Sequence, residues 1–299
     1  MPPPPLKPPP CVCQALLPCR DYDLAATLTS GQAFRWMPCA AAWEGVIGSR
    51  WVRLRPGAEG IVAETVSPCD DWTWLREYLR VAEDLGEILA TFPDDEPMRT
   101  AVAVCRGLRL LRQDPWECLA SFILSSTKRI VQIRQIVDLL CEQFGEQLIV
   151  PQRHKRVYAF PALGRIAAAD ESDLRACKMG FRAPNLRAAA QRLERGDVDL
   201  TRLSALSVGE ARGELLRLPG VGRKIADCVL LFAFGFQDAF PVDVWVMKAL
   251  RRLYFPRRGV SLKRLQEFTA THFGPYAGYA QQYLFHYARV HAKWQEEKR

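Results

Sequence analysis

The sequence has no Cys-x-x-Cys pair, and none of its ten cysteines follows Cys228. A C-terminal zinc or iron–sulfur centre needs clustered thiolates there, so that class of site is excluded. No window holds the roughly 18 uninterrupted apolar residues of a membrane-spanning helix. The start also lacks the charged-then-apolar order of a secretory signal. These absences predict an intracellular chain with no membrane, metal or other cofactor. At 299 residues the chain is long for a disulfide scaffold. Cys105, Cys118, Cys141 and Cys228 instead fall within apolar helical patterns, as reduced core-filling thiols do. No internal repeat stands out.

What is present is unevenly distributed. Residues 1–110 carry 11 Lys+Arg against 14 Asp+Glu, while the remainder carries 30 against 19. A basic part joined to a mildly acidic one suggests a polyanion partner for the basic part, although charge alone also fits a merely soluble surface. The length favours two domains. Seven of the first ten residues are proline, and residues 1–20, with Cys11, Cys13 and Cys19, read as an extended, disordered tail. Residues 21–108 read as a small α+β domain. Its strand-like pieces are GQAFRW, AWEGVIG, RWVRLRP and GIVAET, rich in aromatic and β-branched residues and punctuated by Gly and Pro. From about residue 71 the pattern is helical, and residues 109–299 read as a helical domain.

Helix signals in that second domain are specific. RIVQIRQIVDLLCEQFG puts Ile130, Ile133, Val137, Leu140 and Phe144 on one face and stops at Gly145. SVGEARGELLRL opens with Ser207 and Glu210 at capping-box spacing. It leads into LPGVGRKIADC, a tight turn followed by a second apolar helix running to Gly235, so 207–235 forms a helix–hairpin–helix unit. Asp243 then stands in an N-cap position before VWVMKALRRLYF.

The turn raises a question, because Arg223 and Lys224 open a helix where the backbone dipole disfavours positive charge. Gly220, Val221 and Gly222 let the backbone approach a ligand closely, and the amides at a helix start suit a phosphate oxygen. Arg223 beside them would face the same anion. A plain helical-hairpin turn explains LPGVG equally well. Lys224 lies at the mouth of the groove, with Cys228 one turn on and on the same face. A helix N-terminus and a cationic neighbour disfavour its ammonium form and favour a nucleophilic amine. The alternative is a second phosphate contact.

LPGVGRKIADC followed by FPVDVW at 240–245 resembles the helix–hairpin–helix plus Gly/Pro-Asp signature of base-excision DNA glycosylases. The details are similar to one family within it, the 8-oxoguanine DNA glycosylases with AP lyase activity. SGQAFRW (30–36), LRLLRQDPWECLASFILSS (108–126), MGFRAPNL (179–186) and PYAGYAQQYLF (275–285) carry the resemblance from about residue 22 to residue 288. It implies double-stranded DNA containing an oxidised purine as partner, bound by a monomer. Lys224 matches the lysine that attacks C1′ and forms a Schiff base, and Asp243 in the 239–245 loop the aspartate that stabilises charge developing on the sugar. Cys228 and Phe285 match the two faces of the flipped base. Gln281 matches the amide reading its Watson–Crick edge, and Gly31 the glycine whose carbonyl senses the lesion's N7–H. Guanine would set two acceptors face to face there.

Arg182 matches an arginine contacting the base opposite the lesion, with Phe181 as a neighbouring wedge. Trp245 falls where some members have a histidine near the phosphates, and a tryptophan carries no charge. After ILSS the family pattern has an asparagine run, but this chain has Thr127, Lys128 and Arg129, and Gln132 where a second arginine is expected. The resemblance therefore implies weaker discrimination of the opposite base. Trp245 and the altered run lean towards a bacterial cytoplasm over a nucleus. Two other activities fit parts of the pattern. A monofunctional alkylpurine glycosylase activates water and has no use for Lys224. A noncatalytic phosphate clamp explains Arg223 but not Lys224, Asp243 and the pocket residues together. The N-terminal domain could also be an independent interaction module, but Gly31 ties it to the enzyme.

Overall fold

A computed structural model describes residues 11–66, 69–151, 156–256 and 259–291. The prolines of residues 1–10 lie outside the described residues, as does the chain after His291. Five antiparallel strands form one sheet: β1 (Val12–Pro18), β2 (Met37–Cys39), β3 (Ala42–Ile47), β4 (Arg50–Gly57) and β5 (Gly60–Val66), in the order β1-β5-β4-β3-β2. Alternation sets its faces. Along β5, Ile61, Ala63 and Thr65 point inward while their neighbours are half-exposed. Beneath them lie Leu17, Val52 and Leu54 of the sheet, Trp36, and Leu75 and Leu79 of a helix.

Two expectations for this region are corrected. Residues 12–18 are not a disordered tail. They pair with β5 from Val12↔Val66 to Pro18↔Gly60 and bury Leu17 completely. Nor is GQAFRW a strand, because strand structure begins only at Met37. Residues 31–36 form an irregular turn whose hydrogen bonds come from side chains. Gln32 Nε2 donates to the Thr27 (3.0 Å) and Arg109 (2.8 Å) carbonyls, and its Oε1 accepts from Leu111 N (2.7 Å). Those bonds satisfy backbone groups of α1 and of the 109–111 segment and tie the turn to both.

The helices are α1 (Leu24–Thr29), α2 (Thr73–Leu79), α3 (Leu85–Ala90), α4 (Glu96–Cys105), α5 (Pro115–Leu124), α6 (Ile130–Phe144), α7 (Leu163–Ala168), α8 (Glu171–Leu174), α9 (Ala183–Glu194), α10 (Val208–Leu216), α11 (Arg223–Val229), α12 (Val244–Tyr254), α13 (Leu262–His272) and α14 (Ala277–His286). Helix α5, buried from Cys118 to Leu124, is central to the helical core. Packing does not follow the expected division at residue 108, because Leu85, Ile88, Met98 and Cys105 of α3 and α4 join the helical core. Cys105, Cys118, Cys141 and Cys228 are buried free thiols, and so is Cys177.

Two fastenings seat the sheet against the helices. Arg109, only 2% exposed, donates to the carbonyls of Arg20 (2.8 Å), Asp21 (3.3 Å) and Glu83 (2.7 Å). From α14, Tyr279 OH donates to Glu83 Oε2 (2.9 Å) and Tyr283 OH to the Leu108 carbonyl (3.1 Å). These bonds hold the 108–109 segment, to which Gln32 ties the Gly31 turn, against α14, and the cleft described next opens at that junction.

Candidate active site

The capping box of α10 is present: Ser207 Oγ accepts from Glu210 N, and Glu210 Oε2 accepts from Ser207 N at 2.9 Å. The helix ends at the Pro219–Gly222 turn, where Gly220 has φ +79° and a Cβ would lie 2.9 Å from Asn185 Cβ. Both facts require glycine at that position. Gly222 is the N-cap of α11 and offers no side chain to its amides, which suits an external anion. Arg223 is exposed, with Nε 3.7 Å from Oδ2 of Asp227 one turn on. Asp227, 2% exposed, also accepts from Arg212 Nε of α10 at 2.6 Å. Burial pushes its carboxyl upward while both arginines draw it back.

Lys224 turns inward. Its Nζ lies 3.5 Å from Ser125 Oγ and 4.9 Å from the centroid of the Phe122 ring. Cys228 is 3% exposed, and burial pushes its thiol up to about 12 against the opposing pull of Lys224. It is therefore a neutral, polarisable wall at ordinary pH. Asp243 caps α12 as expected, its Oδ1 accepting from Trp245 N (3.0 Å) and Val246 N (2.8 Å). Both bonds use Oδ1, so the second oxygen lies outside the cap. Burial raises the Asp243 carboxyl above its ordinary range, and the two amides, Lys224 and Arg289 pull it back.

These groups share one cleft of about 300 Å³, counting space continuous with solvent. Gly31, Lys224, Cys228, Asp243, Gln281 and Phe285 all line it. Gly31 has φ +83°, and a Cβ there would lie 2.8 Å from Ile130 Cδ1 and 3.4 Å from Phe285 Cε1. Gln281 is 4% exposed, and its Oε1 is buried with no hydrogen-bond partner among the described residues. Such an acceptor costs about 1–3 kcal/mol unless something completes it, so it marks where a ligand's donor belongs.

Sequence reasoning missed Phe122, Phe232, Pro241 and Gln282, which also line the cleft. Phe122 and Phe232 stack at 5.7 Å and 16°. In buried helices such residues look like core, and no sequence signal separates them from it.

Arg182, Phe181 and Thr127 do not line the cleft but meet beside it. Phe181 is 62% exposed, as a wedge requires. Arg182 departs from expectation: it is 3% exposed, and its guanidinium donates to the Ser126 carbonyl, to Thr127 Oγ1 (2.6 Å) and to the Met179 carbonyl (3.3 Å). It holds the turn after α5 instead of projecting outward. Thr127 sits there at φ +55°, a strained conformation for a β-branched residue. Trp245 is half-buried, with Lys248 Nζ 5.9 Å from its ring centroid.

Among the described residues no group of acidic, histidine and cysteine side chains is arranged to hold a metal ion, and no helix is long and apolar enough to cross a membrane. The lining instead offers an amine, a carboxylate, a carboxamide and aromatic faces, which suits a flat, polar-edged ligand attached to an electrophilic carbon.

Residues 16–119 match the family described as 8-oxoguanine DNA glycosylase, N-terminal domain, and residues 120–270 match the HhH-GPD superfamily of base excision DNA repair proteins. A probable N-glycosylase/DNA lyase of Methanothermobacter thermautotrophicus is 30% identical, over 91% of this chain and 95% of its own length. An N-glycosylase/DNA lyase of Arabidopsis thaliana is 32% identical, over 89% of this chain and 77% of its own. The 8-oxoguanine glycosylase/lyase of Clostridium acetobutylicum, solved with double-stranded DNA containing cytosine opposite 8-oxoguanine, superposes with a TM-score of 0.85 at 32% identity, covering 92% of this chain and 97% of that one. With both halves of the signature and the cleft they build, the chain belongs to the 8-oxoguanine DNA glycosylase/AP lyase family of the HhH-GPD superfamily.

Proposed function

We propose that the protein excises 8-oxoguanine from duplex DNA and then nicks the strand, both through Lys224. The observation that carries this reading is the meeting of Lys224, Asp243 and the unpartnered Gln281 Oε1 in one cleft. The base enters the cleft by leaving the stack, and Gln281 accepts a hydrogen bond from its edge. Phe285 and the neutral Cys228 lie on its two faces. Lys224 Nζ attacks C1′ as the C1′–N9 bond breaks, and the bonding pair leaves with the base. Asp243 stabilises the positive charge that develops on the sugar. The amine loses its protons as the sugar ring opens, giving an imine at C1′. Loss of a C2′ proton then breaks the C3′–O bond and expels the 3′ phosphate.

The Gly220–Gly222 turn, Arg223 and Trp245 hold the flanking backbone, so binding weakens as salt rises. Arg182 is spent on Ser126 and Thr127, which supports relaxed reading of the opposite base; cleavage confined to lesions opposite cytosine would overturn that. The protein acts as a monomer, in a bacterial cytoplasm on this reading.

The test is borohydride trapping on a duplex with one 8-oxoguanine, comparing the wild type with Lys224→Gln. A covalent adduct with the wild type alone is expected. Tight binding without an adduct from either protein would point to a noncatalytic clamp or to another lesion.

A further inference from the structure

The turn that carries Gly31 has its carbonyls assigned one by one. Arg289 Nη2 donates to the Thr29 carbonyl (2.7 Å), Gln282 Nε2 to the Ser30 carbonyl (3.1 Å) and Gln113 Nε2 to the Gln32 carbonyl (2.7 Å). Among the described residues no donor is bonded to the Gly31 carbonyl. It is the one acceptor in the run 29–32 left for a ligand, and Gly31 lines the cleft. Carbonyls fixed on both sides leave the Gly31 peptide few orientations. A glycine at φ +83° would otherwise have unusual freedom to turn.

Gln282 stands out among the three donors. It is 2% exposed, lines the cleft, and sits next to Gln281 on α14. Successive helical residues point about 100° apart, so one helix turn presents two carboxamides with separate tasks. Gln281 leaves its oxygen open towards the cleft, while Gln282 spends its amino group on the facing turn.

We infer that Gln282 is a positioning residue for base recognition: it fixes the Ser30–Gly31 turn so that the Gly31 carbonyl meets the N7–H of the lesion. The inference rests on the proposed function above. It predicts that Gln282 matters where the base is read and matters less where only a sugar aldehyde is needed.

The experiment measures single-turnover excision from an 8-oxoguanine duplex and nicking of a preformed abasic duplex, for the wild type, Gln282→Met and Gln282→Glu. Methionine keeps the shape and removes the donor. Excision by Gln282→Met is expected to fall roughly tenfold further than its abasic-site nicking does, the loss of about one hydrogen bond. A glutamate donates to the Ser30 carbonyl only when protonated, so the ratio of Gln282→Glu to wild-type excision should rise as pH falls. Equal loss of both activities, or loss of neither, would overturn the inference, as would a flat Glu-to-wild-type ratio across pH. A wild type that nicks abasic sites but leaves 8-oxoguanine intact would instead overturn the proposed lesion.

Discussion

Replacing Gly31 by alanine probes the turn through two separable costs. The backbone there has φ +83°, and an L-residue forced into the left-handed region pays about 1–2 kcal/mol. The new methyl would also sit 2.8 Å from Ile130 Cδ1, well inside the ~3.5–4.0 Å at which carbon atoms rest. Relieving such an overlap costs about 1–3 kcal/mol, so Gly31→Ala should destabilise by about 2–5 kcal/mol in urea unfolding. The two parts separate in a cycle with Ile130→Val, which removes Cδ1 and leaves Cγ1 at an ordinary 3.7 Å. The backbone share should persist, while the steric share should vanish, giving a favourable coupling of about 1–3 kcal/mol. Excision should not recover with stability, because the strain at φ +83° persists and displaces the Gly31 carbonyl proposed to read the base. Strictly additive costs would refute the steric reasoning, and a Gly31→Ala protein as stable as the wild type would refute both parts.

Three further outcomes follow from two partly buried carboxylates. Excision needs ionised Asp243, whose carboxyl is raised by burial, so the rate should fall with acid on a limb above the ~3.9 of an ordinary aspartate. Asp243→Asn keeps an acceptor for the Trp245 and Val246 amides. Its stability should therefore change by less than about 1 kcal/mol while single-turnover excision falls by about two orders of magnitude or more; excision that survives the substitution would show that the cap, not the charge, is the residue's main task. Glu117, 3.8 Å from Arg35, is pushed by burial from 4.5 up to about 7. The folded protein thus holds this proton more tightly than the unfolded chain. Its contribution is most favourable below pH 4.5 and is lost as pH rises through 7, at no more than about 1.4 kcal/mol per pH unit. Unfolding free energies across pH 4.5–7 should flatten in Glu117→Gln, and an unchanged slope would rule this group out as its source.

Much of the fold was legible because its signals are local. The Ser207–Glu210 box and the Asp243 cap each depend on two or three neighbouring residues, and β3–β5 carry their alternation and turn residues together. Strand β1 was hidden because its identity comes from pairing with β5, some fifty residues away, and a run of prolines precedes it. GQAFRW misled for the opposite reason. It has strand composition, but the Gln32 side chain ties the stretch to the backbone of Thr27, Arg109 and Leu111 as a turn, which no local pattern encodes. In the cleft, Lys224 stands out because it opens a helix after a glycine turn and Asp243 because it caps α12, and the resemblance of their motifs assigns both to the site. Phe122, Phe232 and Gln282 could not, because a residue lining a cleft and one filling a core obey the same periodicity.

The two cations that open α11 illustrate how structure completes such a reading. A helix start repels positive charge by a few tenths to about 1 kcal/mol, and a phosphate ligand would answer for both. The protein supplies an answer of its own for one of them. Asp227 lies one turn beyond Arg223, is 2% exposed, and is held at 2.6 Å by Arg212 from the preceding helix. Its carboxylate offsets the Arg223 charge on the outer face and pins α10 to α11 across the Gly220–Gly222 turn. Lys224, one residue later, is turned about 100° around the axis and meets no such neighbour on its own helix. Its surroundings are the Phe122 ring, Ser125 Oγ, the neutral Cys228 thiol and, from the next helix, Asp243. The segment 223–227 therefore binds an arginine into the fold and leaves the adjacent lysine facing a cleft, where the nearby carboxylate of Asp243 comes from the start of α12. That division suits the roles proposed for the hairpin, a phosphate turn on its outside and a nucleophile on its inside.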